Sequence, residues 1–175
     1  MRHWTDDPEV TRYLSRGTFP SSLEQMERDY DRHAGSHTEV ELAIVDAAKH
    51  AHIGVTGLHA INWVARSAEF RILIGDKRCW GQGMGAEATQ LIVAYGFERL
   101  NLNRVWLGVN QDNTRAVRAY ERTGFRVEGV LRQEIYRDGR YSDAVRMSLL
   151  RGEYEQVRAT WLIAEQLRRL FPGSR

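Results

Sequence analysis

Phe70-Arg71-Ile72-Leu73-Ile74-Gly75-Asp76-Lys77-Arg78-Cys79-Trp80-Gly81-Gln82-Gly83-Met84-Gly85-Ala86 is the stretch on which the fold turns. Phe70 to Ile74 is rich in aromatic and β-branched residues and reads as a strand. From Gly85 to about Leu100 the period becomes helical, with Ala88, Leu91, Ile92 and Tyr95 on one side. Between them, glycines let consecutive backbone N–H groups point into one concavity, and the helix adds its positive N-terminal end. A strand–turn–helix of this kind holds a phosphate or pyrophosphate. The plainer alternative is a turn in which the glycines only relieve strain. Gly81, Gly83 and Ala86 also satisfy the dinucleotide fingerprint spacing. That reading fails on context, because Gly75 to Trp80 separate the strand from the glycines and no second nucleotide-binding half follows.

Working outward toward the N-terminus, Ile53 to Ile61 reads as a strand, and Val40, Leu42 and Ile44 alternate with polar residues in another, with a turn over Asp46 to His52. Before these come two helical segments. One is opened by Asp7-Pro8, an N-cap followed by proline at the first helical position, with Val10, Tyr13 and Leu14 on one face. The other starts at Ser21-Ser22-Leu23-Glu24 with capping-box spacing, continues through Leu23, Met26 and Tyr30, and stops at Gly35-Ser36. Toward the C-terminus, Arg104 to Val109 is a strand, Thr114 to Arg122 a helix ended by Gly124, and Phe125 to Val130 and Tyr141 to Leu150 are strands joined through the hairpin signal Asp138-Gly139. Glu153 to Leu170 reads as one amphipathic helix. This order implies an α+β (mixed α/β) fold, a mixed sheet with helices on it, in one domain over 1–175.

Composition narrows the partners. The 175 residues are 42% hydrophobic and 27% charged, an ordinarily globular composition that favours neither a disordered nor a membrane chain. No apolar run approaches the roughly 20 residues of a membrane span, and the start lacks a signal-peptide pattern, so a cytoplasmic location is the expectation. A net charge of +2 with scattered Lys and Arg does not favour nucleic acid. The single cysteine, Cys79, excludes an internal disulfide or a cysteine metal cluster and reads as an ordinary loop residue.

Beyond the glycine turn lies a second informative segment, Asn113-Thr114-Arg115-Ala116-Val117-Arg118-Ala119-Tyr120-Glu121-Arg122-Thr123-Gly124-Phe125. Asn113 can cap its helix, and Ala116 and Tyr120 share a face at i, i+4. Taken alone, Tyr120 is a half-buried core tyrosine. Taken with the glycine turn, with Ser67-Ala68-Glu69-Phe70 and with Asp138-Gly139-Arg140-Tyr141 to Arg146-Met147, the chain resembles the GCN5-related N-acetyltransferase (GNAT) superfamily. Within it the likeness is to spermidine N-acetyltransferases and ribosomal-protein alanine N-acetyltransferases, and it runs from about Trp4 to Tyr154.

The resemblance implies a twisted, mostly antiparallel sheet whose two central parallel strands splay apart, with helices on both faces. It implies acetyl-CoA as co-substrate, no metal, and a pantetheine arm that pairs with the strand edge at Ile72, Leu73 and Ile74. Trp80, Gly81, Gln82, Gly83, Met84, Gly85 and Ala86 would hold the pyrophosphate, with Asn113, Ala116 and Tyr120 beside the arm. Glu69 is the implied base that takes a proton from the attacking amine, usually through water; its other reading is a solvent-facing strand carboxylate. A backbone N–H near Leu73 or Ile74 would meet the oxyanion. Tyr120 would return a proton to the departing thiolate.

Three features depart from that pattern. Relatives open with a β-strand before the first helix, whereas this sequence begins almost at that helix, so the expectation is a missing first strand, either through a truncated start or through a sheet that has lost an edge strand. Position 80, often Gln or Arg, is Trp80. Places that carry acidic residues in spermidine enzymes read Ser15-Arg16-Gly17-Thr18 and Gly57-Leu58-His59-Ala60. The expected acceptor is therefore a primary amine of a small molecule or peptide N-terminus, with polyamine, aminoglycoside, amino sugar and ribosomal protein N-terminus all open. Asp6, Asp7, Glu69 and Glu134 are candidate carboxylates for an aminoglycoside or amino-sugar pocket. A non-catalytic acyl-CoA-binding regulatory module is the competing class, opposed by the presence of both Tyr120 and Glu69. The apolar tail packs on its own domain or forms a homodimer contact.

Overall fold

The structure is a computed structural model that describes residues 2–14, 22, 24, 28 and 35–172. The helix expected from Ser21 onward and the Ser15–Thr18 loop fall outside these residues, apart from Ser22, Glu24 and Arg28. In chain order the elements are α1 (Arg2–Thr5), α2 (Pro8–Thr11), β1 (Val40–Asp46), β2 (Ala51–Asn62), β3 (Ser67–Ile74), α3 (Met84–Glu98), β4 (Arg104–Asn110), α4 (Thr114–Thr123), β5 (Arg126–Arg137), β6 (Arg140–Leu150), α5 (Arg151–Val157) and α6 (Ala164–Leu170). No helix among the described residues is long and apolar enough to cross a membrane.

The strands form one six-stranded sheet in the order β1-β2-β3-β4-β6-β5. Every neighbouring pair is antiparallel except β3 and β4. Those two are joined by the α3 crossover, as a parallel pair requires. Their ladder is short: Ser67 pairs with Arg104, Ala68 with Val105 and Glu69 with Trp106, and there it stops. Beyond that point β3 stays on β2 as far as Ile74, while β4 stays on β6 as far as Asn110. The central strands therefore diverge after Glu69 and Trp106, as the resemblance led one to expect.

The core lies on the sheet face covered by α3. Leu58, Phe70, Ile92, Val93, Phe97, Leu102, Val105, Leu107, Met147, Leu149 and Tyr154 are all buried there. Burying each large apolar side chain contributes about 1.5–3 kcal/mol. Strands β3, β4 and β6 contribute by alternation, so the opposite faces of the same strands carry Glu69, Arg71, Trp106 and Arg146.

Several local readings change in the structure. Asp7 caps α2, its Oδ1 accepting from Glu9 N at 2.9 Å, but the helix ends at Thr11, short of Tyr13 and Leu14. Strand β5 runs past Val130 to Arg137, and the Asp138-Gly139 turn has φ of 51° and 79°, the two positive values of a type I′ hairpin. The tail is not one helix. It breaks between α5 and α6, where Trp161 is extended at φ −70°, ψ 151°. Trp161 and Ile163 are buried and Leu162 is exposed, an alternation only an extended step can make. The Trp161 indole then donates to Thr123 O at 3.2 Å and meets Tyr154 edge-on at 5.4 Å. The tail thus packs into the core of its own chain.

Candidate active site

Backbone direction along β3 decides what faces the opening between β3 and β4. Gly75 N donates to Ile53 O, so by antiparallel alternation Leu73 and Arg71 also bond across to β2. Phe70, Ile72 and Ile74 then direct their N–H and C=O groups toward the β4 side. Leu73, expected beside Ile74 as an oxyanion donor, has its N–H turned to Val55 instead. The Ile74 carbonyl is already taken by the Trp80 indole, Nε1 donating at 2.8 Å. What stays open on this edge is both groups of Ile72 and the N–H of Ile74.

The turn that follows is braced before it reaches its glycines. Asp76 caps a single 3-10 turn at Lys77–Cys79 and grips Arg78 through two bonds, Nε to Oδ1 at 3.0 Å and Nη2 to Oδ2 at 2.7 Å. The hydrogen-bonded guanidinium holds the Asp76 carboxyl down at about 2. Gln82 donates to Arg78 O from the other side of the loop. Gly81 and Gly83 have φ of 75° and 85°, left-handed values that disfavour any side chain. Gly83 is the N-cap of α3, and no side chain bonds to the helix start; Ala86 N donates to Gly83 O at 2.9 Å, which leaves the N–H groups of Met84 and Gly85 open. No atom lies within 4 Å of where a Cβ on Gly81 or Gly83 would sit. The space over the turn is clear.

On the β4 side, Asn113 caps α4, its Oδ1 accepting from Ala116 N at 3.2 Å. The helix cap read from the position of Asn113 is thus formed, and its Nδ2 makes no hydrogen bond with a described residue. Further along α4, the Tyr120 ring meets Phe70 edge-on at 5.8 Å and lies 6.1 Å from Phe125. Phe70 is the first β3 residue past the last paired position, so Tyr120 stands at the vertex of the opening. Burial pushes the Tyr120 hydroxyl up to about 12, because the phenolate would lose its hydration. At neutral pH it is a proton donor. It has no hydrogen-bond partner among the described residues.

Glu69 sits at the same vertex but on the opposite face of β3 from Phe70 and hence from Tyr120. Its carboxylate accepts from Arg71 Nη2 at 2.7 Å and is 20% exposed. The two candidate catalytic side chains flank the vertex from either side of the sheet and do not touch. Of the other candidate carboxylates, Asp7 is committed to its cap and to Lys77, 2.8 Å away, Asp6 is exposed, and Glu134 is exposed in an irregular stretch of β5.

Beside Glu69 the structure gathers residues that sequence reading missed. His59 is the cross-strand partner of Glu69. Its ring nitrogens lie 3.9 Å from carboxylate oxygens of Glu39 and Glu41. The Glu39-Val40-Glu41 alternation puts both carboxylates on one face of β1, and that period was the available signal. Trp106, the parallel partner of Glu69, carries the Arg146 guanidinium 4.1 Å from its ring centroid. Nothing in the spacing of 106 and 146 announces that contact.

The chain is similar to known proteins. The Acetyltransferase (GNAT) domain family matches residues 1–126. The chain is 33% identical over 154 residues to a spermidine N(1)-acetyltransferase of Vibrio cholerae, covering 88% of this chain and 82% of that one. It is 32% identical to the spermidine N(1)-acetyltransferase of Escherichia coli K12, covering 88% and 75%. A putative ribosomal N-acetyltransferase of Bacillus subtilis is 36% identical over 58% of this chain and 55% of its own. Among solved structures, the Vibrio cholerae spermidine N-acetyltransferase in complex with CoA and spermine superposes with a TM-score of 0.82 at 31% identity, covering 88% and 89% of the two chains. With its splayed central strands, glycine turn and matched relatives, this chain belongs to the GNAT family of N-acetyltransferases.

Proposed function

We propose that the protein transfers the acetyl group of acetyl-CoA to a primary amine of a polyamine. The observation that carries the cofactor half is the opening between β3 and β4, with a bare strand edge at Ile72 and Ile74 and an uncapped, clear glycine turn at its end. A diphosphate fits that turn on charge and on space. Trp80 through Ala86 would hold it, and Ile72 would pair with the amide arm as an added strand does. Bound there, acetyl-CoA supplies an activated thioester to a nucleophile arriving at the vertex.

The chain's own groups supply proton handling. Glu69 takes a proton from the ammonium form of the acceptor, directly or through water, since only the neutral amine attacks. The Ile74 N–H, the free donor nearest the end of the strand edge, meets the oxyanion. Tyr120, which keeps its proton to high pH, returns one to the thiolate.

For the acceptor, the support is twofold. Relatives matching most of the chain are named as spermidine enzymes, and Glu39, just before β1, Glu41 on β1 and Glu69 on β3 stand on one sheet face around His59 of β2. Carboxylates absent at Gly57 and Ala60 are thereby offered from the neighbouring strand, where they attract a multiply charged cation. The test is thiol release from acetyl-CoA with spermidine, spermine, aminoglycosides, amino sugars and peptides with free N-termini. Turnover on the polyamines above the others is expected. Turnover confined to a different class would overturn the acceptor assignment, and none with any amine would overturn the function.

A further inference from the structure

Two segments far apart in sequence meet at the mouth of the cleft. Trp80 opens the glycine turn on the β3 side, and Arg115 lies in the first turn of α4 on the β4 side. The Arg115 guanidinium carbon is 5.1 Å from the centroid of the Trp80 ring. Trp80 is itself anchored, half-buried and bonded through its indole to Ile74 O at 2.8 Å. A mobile exposed arginine is thus held at a defined place by a fixed aromatic face.

Its charge has no counterpart there. Arg115 is exposed and forms no ion pair or hydrogen bond with a described residue. It also stands at the positive end of α4, where a cation adds to the helix dipole rather than offsetting it. The start of α3, with its uncapped N–H groups, follows the same turn. Two helix starts and a stacked guanidinium together make a positive rim, and the carboxylates beside it, Glu87 in the first turn of α3 and Asp112 just before Asn113, form no ion pair with Arg115. An anionic ligand accounts for that arrangement, and an arginine fork suits a phosphate oxygen pair.

We propose that Arg115, held on the Trp80 ring, is a phosphate-binding residue that closes over the 80–86 turn onto the pyrophosphate of coenzyme A from the β4 side. The assignment rests on the proposed use of acetyl-CoA. It gives Trp80 two tasks: occupying the Ile74 carbonyl and presenting the guanidinium.

The test is calorimetric titration of the parent, Arg115→Ala and Arg115→Lys with CoA and dephospho-CoA, with pantetheine followed by competition. Arg115→Ala should weaken CoA and dephospho-CoA alike, by about tenfold or more. Pantetheine, which lacks the pyrophosphate, should be unaffected, and Arg115→Lys should recover part of the loss. Melting without ligand should match the parent, because the side chain is exposed. Unchanged CoA affinity in Arg115→Ala overturns the assignment, as does an equal loss for all three ligands. A loss on CoA but not on dephospho-CoA also overturns it, by moving the contact to the 3′-phosphate. A parent that binds no CoA brings down the proposed function together with this inference, which separates that failure from the others.

Discussion

Replacing Tyr120 by Phe deletes one oxygen and keeps the ring against Phe70 and Phe125. If the hydroxyl is the acid that protonates the thiolate, kcat should fall ~10²–10⁴-fold while KM for acetyl-CoA stays near the parent value. The perturbed hydroxyl adds a second, independent signature. With Tyr120 pushed up to about 12 by burial, the acid form is still about 99% populated at pH 10, where an ordinary tyrosine is about half ionised. The parent's kcat should therefore show no tyrosine-type decline between pH 9 and about 10.5. Stability carries the same sign. A group whose folded value is raised contributes stability that is present below its unfolded value and lost as pH rises through the folded one. Between an unfolded value near 10 and a folded value near 12, Tyr120 should cost the parent about 1 kcal/mol by pH 11. The variant has nothing to titrate and escapes that loss. Steady-state kinetics from pH 6 to 10.5 and urea unfolding at pH 9 and pH 11 measure both effects. A Phe variant with parental kcat refutes the acid role. An identical alkaline loss of stability in both proteins refutes the burial argument.

Three further outcomes follow from other contacts. Glu69→Gln should reduce kcat with the deficit largest at neutral pH and shrinking as the amine deprotonates itself at alkaline pH; a uniform deficit across the pH–rate profile would assign Glu69 to binding through Arg71 instead. Gly75→Ala would place a Cβ 2.0 Å from the Trp4 indole, whose ring is buried and packed on His52, so a loss of about 1–3 kcal/mol in chemical denaturation is expected, and a parental midpoint would contradict the packing. Glu128 accepts from Arg104 and Ser148 and is held down at about 2, chiefly by Arg104, so it stabilises the fold above the usual carboxylate range and loses that contribution as pH falls toward 2; Glu128→Gln should flatten acid unfolding over that window, read by circular dichroism against pH.

Much of the site was legible because it is written in near neighbours. The glycine turn, the helix after it, the Asn113 cap and the spacing of Ala116 to Tyr120 are each a few residues long, and steric preference and helical period determine them locally. The Asp138-Gly139 hairpin is legible for the same reason. Where local period misled, burial overrode it: the tail from Glu153 reads as one amphipathic helix, yet burying Trp161 and Ile163 together requires an extended step between two short helices.

What the chain order could not settle is everything made by pairing distant strands. The parallel ladder ends after Glu69 and Trp106 because β3 and β4 each follow a different antiparallel neighbour, a balance of long-range registers that no window of sequence contains. That same pairing turns Leu73 away from the cleft and Ile72 toward it, and sets Glu69 and Tyr120 on opposite faces. It also brings Glu39 and Glu41 beside His59, and Arg115 onto Trp80. The sequence by itself determined that a glycine turn leads from a strand into a helix and that a tyrosine lies one helical turn past Ala116. Tertiary structure alone decided which backbone groups, which carboxylates and which arginine stand around them, because those positions follow from how sheet and helices pack rather than from spacing along the chain.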